Sequence, residues 1–319
     1  MDGTKYTYGG GLVRSLESRM LTAERVVRMV NADSFESAFA VLNESGYVRL
    51  LDKLSSPFNY EELLMLELKS VRNMTRRTAP ESEIISSLWS KYDYHNLKVL
   101  LKSRLLKSNG WKDKVIDLGN VPAEELVRSV IRNEDRPPAQ FREHIARAEK
   151  EPEAVDSILE LAHLEALRAA AGKAGVPMFS AYVRSAIDSA NIRLLFRAKA
   201  AGRSAPAFAA GGAIDRGRFS DYFRLTPEEV FQRLKYTDYS RAVSSYSETR
   251  SLQALDRALS EHAMNVIREA RHVTFGVEPL LGFVLAKEHE TKTLRMIFAG
   301  KAAGIDPELL RERIGLYYA

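Results

Sequence analysis

The 319-residue sequence contains no cysteine. This absence excludes a disulfide framework, a cysteine-ligated zinc and a thiol nucleophile, and it fits a reducing compartment. Long apolar runs are missing too: the longest, Pro279 to Ala286, has eight residues, far short of the roughly 20 that span a bilayer. Residues 1–20 lack the apolar core of a secretory signal, so we expect neither a signal peptide nor a transmembrane segment.

Sequence motifs for catalysis and for metal or phosphate binding are also absent. The six histidines never form an H-E-x-x-H pair, and no G-x-S-x-G nucleophile turn occurs. The glycine-rich stretches 8–11 (YGGG) and 209–212 (AAGG) lack the G-x-x-x-x-G-K-[ST] spacing of a phosphate loop and follow no predicted strand. The sequence therefore predicts no catalytic residue, no cofactor and no metal, and treats both stretches as flexible turns.

The charge is mildly basic and evenly distributed. Lys and Arg number 47 against 42 Asp and Glu, which gives a net charge of +5 without a charged tail. Hydrophobic residues make up 45% and charged residues 28%, as in a folded soluble protein. The excess of positive charge is compatible with an acidic partner.

One short helical pattern is present three times, at 93–104, 188–199 and 290–301. Each copy has an acid, a small polar residue three positions later, an aliphatic anchor directly after it and a base seven residues beyond the anchor. These positions are Asp93, Asn96, Leu97 and Arg104; Asp188, Asn191, Ile192 and Lys199; and Glu290, Thr293, Leu294 and Lys301. Apolar residues three and four positions after each anchor complete one stripe of a helix.

The spacing of these copies predicts an internal triplication, because the anchors lie close to one third of the chain apart. A second motif supports it: residues 34–47 match 226–239, with Ser34 and Thr226 as N-caps and Glu229 placed for a capping box. Residues 122–130 form a looser middle copy. Gly202 and Gly304 are expected to stop the second and third helices, whereas the first copy continues to Gly110.

Helical periodicity covers nearly the whole chain, so we predict an all-α fold. Breaks at 107–122 and 202–218 place domain boundaries near 113 and 213. The expected organisation is a first repeat at 1–113 with an N-terminal helix, a second at 114–213 and a third at 214–319. Three units of this size without capping repeats would close around a pseudo-threefold axis rather than stack as a solenoid.

The repeated D-x-x-N-[LI]-[KR] helix, the opening VRSLESRMLT…ADSFESAF and the C-terminal block 275–305 resemble the C subunit of the V/A-type ATPases. That family includes the d subunit of the eukaryotic vacuolar enzyme, and the resemblance covers essentially the whole chain. Residues 8–11 are richer in glycine than the start of the family's first helix.

The resemblance implies a funnel of three similar helical domains with no active site of its own. Such a protein lies on the cytoplasmic face of the membrane, peripheral to it, between the central shaft of the soluble ATPase head and the membrane proteolipid ring. It passes torque from one to the other during proton or sodium transport. No cofactor and no nucleic acid are expected.

Two other classes are weighed against this one. The basic helices could follow the phosphates of a nucleic acid, with Lys98, Lys102 and Arg104 in one copy and Arg193, Arg197 and Lys199 in another. The acid and base of each copy could also be a catalytic pair, but salt bridging or capping between repeats is the simpler interpretation, since active sites are rarely triplicated intact. A helical hydrolase would need a carboxylate cluster that the sequence does not contain.

Overall fold

The computed structural model describes residues 3–79 and 82–314. Over these residues every regular element is helical and no strand occurs, which confirms the all-α prediction. The α-helices are α1 (Thr7–Glu17), α2 (Ala23–Asn31), α3 (Phe35–Ala40), α4 (Val48–Leu51), α5 (Tyr60–Thr78), α6 (Glu83–Leu105), α7 (Ala123–Val127), α8 (Arg142–Lys150), α9 (Val155–Ala174), α10 (Pro177–Ala200), α11 (Arg216–Arg224), α12 (Pro227–Leu234), α13 (Ser240–Thr249), α14 (Leu252–Arg268), α15 (Glu278–Ala302) and α16 (Pro307–Arg313).

The described residues form two compact units. One unit consists of residues within 1–80, 192–204 and 221–319, and the other of residues within 81–191 and 205–220. In the first unit, α2, α3 and α5 pack their apolar faces on Leu294, Ile297 and Phe298 of α15. In the second, α7, α8 and α9 pack around Leu97 and its neighbours on α6. None of the helices in 3–79 and 82–314 has the length and apolar character needed to cross a membrane.

The N-caps expected from the second motif are confirmed. The Ser34 hydroxyl accepts a hydrogen bond from the Ser37 amide at the start of α3. At the start of α12, Thr226 and Glu229 form the complete capping box, each side chain bonding to the backbone amide of the other residue. Both caps satisfy amide groups that the first helical turn leaves without a partner.

The three helices that carry the repeated pattern end in the same way. Gly202 and Gly304 adopt left-handed backbone at φ +60° and +66°, as expected for helix stops. In the first copy the helix ends at Leu105, and Lys107 takes the left-handed position at φ +50°. The prediction that the helix of the first copy continues to Gly110 is therefore wrong. In all three, the next amide bonds back over the last turn, from Ser108 to Ser103, Arg203 to Ala198 and Ile305 to Gly300.

Lys107→Gly is expected to stabilise the protein by about 0.5–1 kcal/mol. A lysine in left-handed backbone brings its Cβ close to a carbonyl, a cost that glycine avoids, and Lys107 is exposed. Urea unfolding followed by circular dichroism measures the change. The matched substitution Gly202→Ala should destabilise by a similar amount, and a loss of stability in Lys107→Gly would contradict the assignment of the helix end.

The glycines at residues 9–11 lie inside α1 and do not form a loop, so their prediction as a flexible turn is wrong. Gly9 and Gly10 are buried. A Cβ at Gly9 would lie 3.0 Å from the Leu280 side chain and 3.1 Å from that of Thr78. Glycine therefore allows α1 to pack closely on α15 and α5.

Gly11→Ala should stabilise α1 by about 0.5–1 kcal/mol, because alanine loses less backbone entropy in a helix and a Cβ there meets no atom within 4 Å. Gly9→Ala is the matched control and should lower stability through contact with Leu280. Thermal unfolding of both variants measures these changes. A stability change of the same sign in both variants would contradict the close packing of α1 on α15.

Candidate functional site

The repeated helices α6, α10 and α15, called the framework helices below, bury their apolar stripe completely. Each anchor and the residues three and four positions beyond it have no exposed surface. These nine residues are Leu97, Leu100, Leu101, Ile192, Leu195, Phe196, Leu294, Ile297 and Phe298. The stripe is thus core, and the chemistry of the repeat lies in its polar positions.

On α6, Asp93 and Asn96 bind the segment that follows the helix. The two oxygens of buried Asp93 accept hydrogen bonds from the amides of Asn120 and Val121, both at 3.0 Å. Asn96 bonds in both directions with the Ile116 peptide: its amide donates to the carbonyl and its oxygen accepts from the N–H, both at 2.8 Å. Together they attach the loop 106–122 to the helix.

On α10, Asp188 and Asn191 repeat this arrangement. Asp188, fully buried, accepts from the amides of Ala213 and Ile214 at 2.8 and 3.2 Å. Asn191 bonds in both directions with the Ala209 peptide at 2.9 and 2.8 Å. Each carboxylate is close to a glycine, since a Cβ at Gly212 would overlap Asp188 and one at Gly119 would overlap Asp93.

On α15 the acid is the longer Glu290, and its backbone partner lies near the start of the chain. One carboxylate oxygen accepts from the Leu21 amide at 2.7 Å, and the other accepts from the Tyr47 hydroxyl at 2.9 Å. The residue two positions before Leu21 is Arg19, where the other two copies have glycine. Thr293 is buried at the position that asparagine occupies in the other two copies.

A buried lysine completes the site on α15. Lys287 Nζ lies 2.7 Å from Glu290 and 3.0 Å from Glu67 of α5, and all three side chains are less than a tenth exposed. Burial lowers the pKa of Lys287, but the two carboxylates outweigh burial and hold its pKa above the usual value. Burial, reinforced by the charge of Glu290, raises the pKa of Tyr47 well above its usual value. At neutral pH the lysine is thus an ammonium that neutralises buried carboxylate charge.

The base of each copy binds backbone carbonyls. Arg104 donates to Val130 at 3.1 Å and also pairs with Glu149. Lys199 donates to Phe223 at 2.7 Å and to Leu225, and Lys301 donates to Ala32 at 2.5 Å. Within the residues that the structure describes, Arg104 forms the predicted ion pair with a carboxylate and the two lysines do not. For the two lysines the partners are carbonyl groups at the C-terminal ends of α11 and α2, where the helix dipole favours a positive charge.

The acid of each copy binds a backbone amide at the same distance in sequence from the next helix. Val121, Ile214 and Leu21 each lie two residues before a helix, at the start of α7, α11 and α2 respectively. In this register α7 corresponds to α11 and α2. Counted from these contacts, residues 122–130 align with 22–30 and 215–223, whereas the sequence comparison aligns them with 34–47 and 226–239.

Four other basic residues of the framework helices bind carboxylates of the same chain. Lys98 pairs with Glu160 at 2.6 Å and Lys102 with Asp156 at 2.5 Å. Arg193 and Arg197 both pair with Asp256. These are the cations that the nucleic-acid hypothesis requires to be available for phosphates, so the structure weighs against it.

The site holds helices and loops together rather than presenting a reactive group. The acids and bases of the repeat bind different backbone segments, so the geometry supports capping and not proton transfer. Within 3–79 and 82–314 no three His, Asp or Glu side chains are grouped as for a metal ion. Sequence reasoning missed Gly119, Gly212, Glu67 and Lys287. The signal for the glycines was a Gly-x-[Val/Ile] before each helix, and for Glu67 an acid within the apolar face of α5.

Comparison with known proteins identifies the family of the chain. The family model described as ATP synthase (C/AC39) subunit matches residues 10–313. The chain is 24% identical to the C subunit of the A-type ATP synthase of Methanocaldococcus jannaschii, over 98% of this chain and 86% of that protein. It is 25% identical to the C subunit of the V-type sodium ATPase of Enterococcus hirae, over 96% of this chain and 97% of that protein. The chain therefore belongs to the ATP synthase (C/AC39) subunit family, whose members are subunits of V/A-type rotary ATPases and not enzymes in themselves.

Proposed function

We propose that this chain is the central-stalk subunit that joins the shaft of the ATPase head to the membrane proteolipid ring and turns with both. The observation that carries the proposal is the cyclic order of the framework contacts. α6 and α10 bind the segments that follow them, and α15 binds Leu21 and Ala32 near the start of the chain.

This order supports three repeats that close on one another. In the proposal, residues 1–113, 114–213 and 214–319 are the three repeats, arranged around a pseudo-threefold axis. A shaft is axial and a proteolipid ring is cyclic, so an adaptor with its own axis can present a centred surface to each. The names of the relatives, which are the C subunits of an A-type ATP synthase and of a V-type sodium ATPase, support assignment to such a complex.

The position within the cell follows from the same role. The chain would lie at the cytoplasmic face of the membrane, held there through the ring and the shaft. Its function is mechanical: the buried stripes and backbone contacts of the framework helices would resist deformation while torque passes through them.

Affinity purification of the tagged full-length chain from detergent-solubilised membranes of its source tests the proposal. We expect to recover the proteolipid and the proteins of the ATPase head, identified by mass spectrometry. Recovery of nucleic acid in their place would overturn the proposal in favour of the basic-helix alternative. The purified chain alone should show no ATP hydrolysis, and specific activity that co-elutes with it would count against an adaptor role.

A further inference from the structure

A groove lined by basic residues lies in the first compact unit, between α1, α4 and α5. Its volume is about 530 Å³. It is called the basic groove below, and twelve residues line it, among them Tyr8, Leu12, Lys53, Lys69, Met74 and Arg77. Four of the twelve are cationic and none is acidic, in a chain whose acids nearly equal its bases.

Three of the four cations are available to a partner. Arg49 pairs with Glu67 and donates to Ser70. Lys53, Lys69 and Arg77 are exposed and form no ion pair within the described part of the chain. The acid nearest to them in sequence is exposed Asp52, which does not line the groove. The basic groove therefore has a net positive charge that the chain does not neutralise.

The shape of the basic groove indicates an elongated occupant. Its floor is one stripe of α5 from Leu66 to Thr78, about 18 Å at 1.5 Å per residue. Lys69 and Arg77 are about 12 Å apart along the helix axis by the same rise. One phosphate or one carboxylate cannot reach both, whereas carboxylates spaced along a helix can.

The apolar residues lie between the charges. Leu66 and Met74 alternate with Lys69 and Arg77 on the floor, and Leu12 lines the wall on α1. Tyr8, 78% exposed, also lines the groove. Exposed tyrosine and adaptable methionine are common where one protein binds another. A headgroup of a lipid would use the cations but leave this apolar stripe without a partner.

We infer that the basic groove docks an acidic amphipathic helix of a partner protein, with carboxylates on Lys69 and Arg77 and aliphatic side chains between them. The inference rests on the proposed function only in taking this partner to be another subunit of the ATPase. The charges would speed encounter and fix the register, and the apolar stripe would supply contact area.

The first arm of the test measures binding of a defined peptide to the full-length chain. The probe is a fluorescein-labelled peptide of three LEEALEE heptads, compared with its LQQALQQ counterpart by fluorescence anisotropy. We expect the acidic peptide to bind, more weakly as salt is raised, and the glutamine peptide to bind less. The double variant Lys69→Gln, Arg77→Gln should raise the Kd about tenfold, because the binding free energies of two exposed charge contacts are lost.

The matched control removes the same charge outside the groove. Arg76→Gln with Lys112→Gln changes two exposed cations, one of them on the last turn of α5, and neither lines the groove. This variant should bind the acidic peptide as wild type does. Equal Kd for wild type and the groove variant, or an equal loss in the control, would overturn the inference. Groove-dependent binding to phosphatidylserine vesicles without peptide binding would overturn it too.

A second arm separates this inference from the proposed function. If wild type recovers the ATPase from membranes and the groove variant recovers clearly less at the same salt, the docked helix belongs to that complex. Recovery that is equal for both would refute the groove as a docking site within the ATPase. If wild type recovers no ATPase, the proposed function fails, and the peptide arm still decides whether the groove binds an acidic helix.

Discussion

Lys287→Met should lower the free energy of unfolding by about 3 kcal/mol at pH 8. The ammonium lies within 3.0 Å of both Glu67 and Glu290, and its removal leaves carboxylates buried with less compensating charge. Arg49 still pairs with Glu67, and Tyr47 and Leu21 still donate to Glu290. These contacts keep the expected loss at the lower end of the range for broken buried pairs.

The same variant should lose less stability relative to wild type in base. In the folded protein the two carboxylates hold the pKa of Lys287 above its usual value. A raised pKa contributes stability that is present at low pH and is lost as pH rises through the folded value. The difference between variant and wild type should therefore be smaller at about pH 11 than at pH 8.

Urea unfolding at the two pH values, followed by circular dichroism, measures both effects. Lys173→Met, an exposed lysine on α9, should change stability by no more than about 0.5 kcal/mol. Lys287→Met with Glu290→Gln should recover part of the loss, because one of the unpaired charges is gone. If Lys287→Met alone were as stable as wild type at pH 8, the buried charge cluster would not contribute to folding.

Gly119→Ala and Gly212→Ala should each destabilise the protein by about 3 kcal/mol. A methyl group at either position would overlap the carboxylate of Asp93 or Asp188. Each carboxylate must then move away from the two backbone amides whose hydrogen bonds it accepts. The buried carboxylate and the two amides then lose their hydrogen-bond partners. The loop would detach from its framework helix, or the helix would shift.

A double-mutant cycle isolates this effect from a general cost of alanine. Gly172→Ala on α9 is the matched control: a Cβ there meets nothing within 4 Å, so it should be neutral or slightly stabilising. In the background Asp188→Ala, Gly212→Ala should cost far less than in wild type, since the group that it displaces is absent. Additive losses in the two variants would refute the steric argument.

Much of the fold follows from local sequence patterns, because these depend on interactions within one or two helical turns. The apolar stripe of Leu97, Leu100 and Leu101 requires only helical periodicity. The capping box of Thr226 and Glu229 lies within four residues. The family of the chain can likewise be recognised from motifs in its sequence.

The contacts of the polar repeat residues could not be predicted in this way. Asp188 and Lys199 are an acid and a base on one helix, which in sequence suggests that they could pair with each other. In the structure Asp188 binds the amide of Ile214 and Lys199 binds the carbonyl of Leu225, on either side of α11. The sequence comparison aligns 122–130 with 34–47 and 226–239, whereas the hydrogen bonds of the repeated acids align α7 with α2 and α11. Those hydrogen bonds involve backbone amides, which carry no sequence signal.

The sequence by itself determined the helical class, the threefold occurrence of the framework pattern and the absence of cysteine, since composition and periodicity are local properties. Only the tertiary structure decided which backbone segment each acid and base holds, why Gly119 and Gly212 are required, and that Lys287 pairs with both Glu67 and Glu290. These contacts join residues up to 269 positions apart. Groups so distant in the chain come into contact only when the helices and loops that carry them pack together.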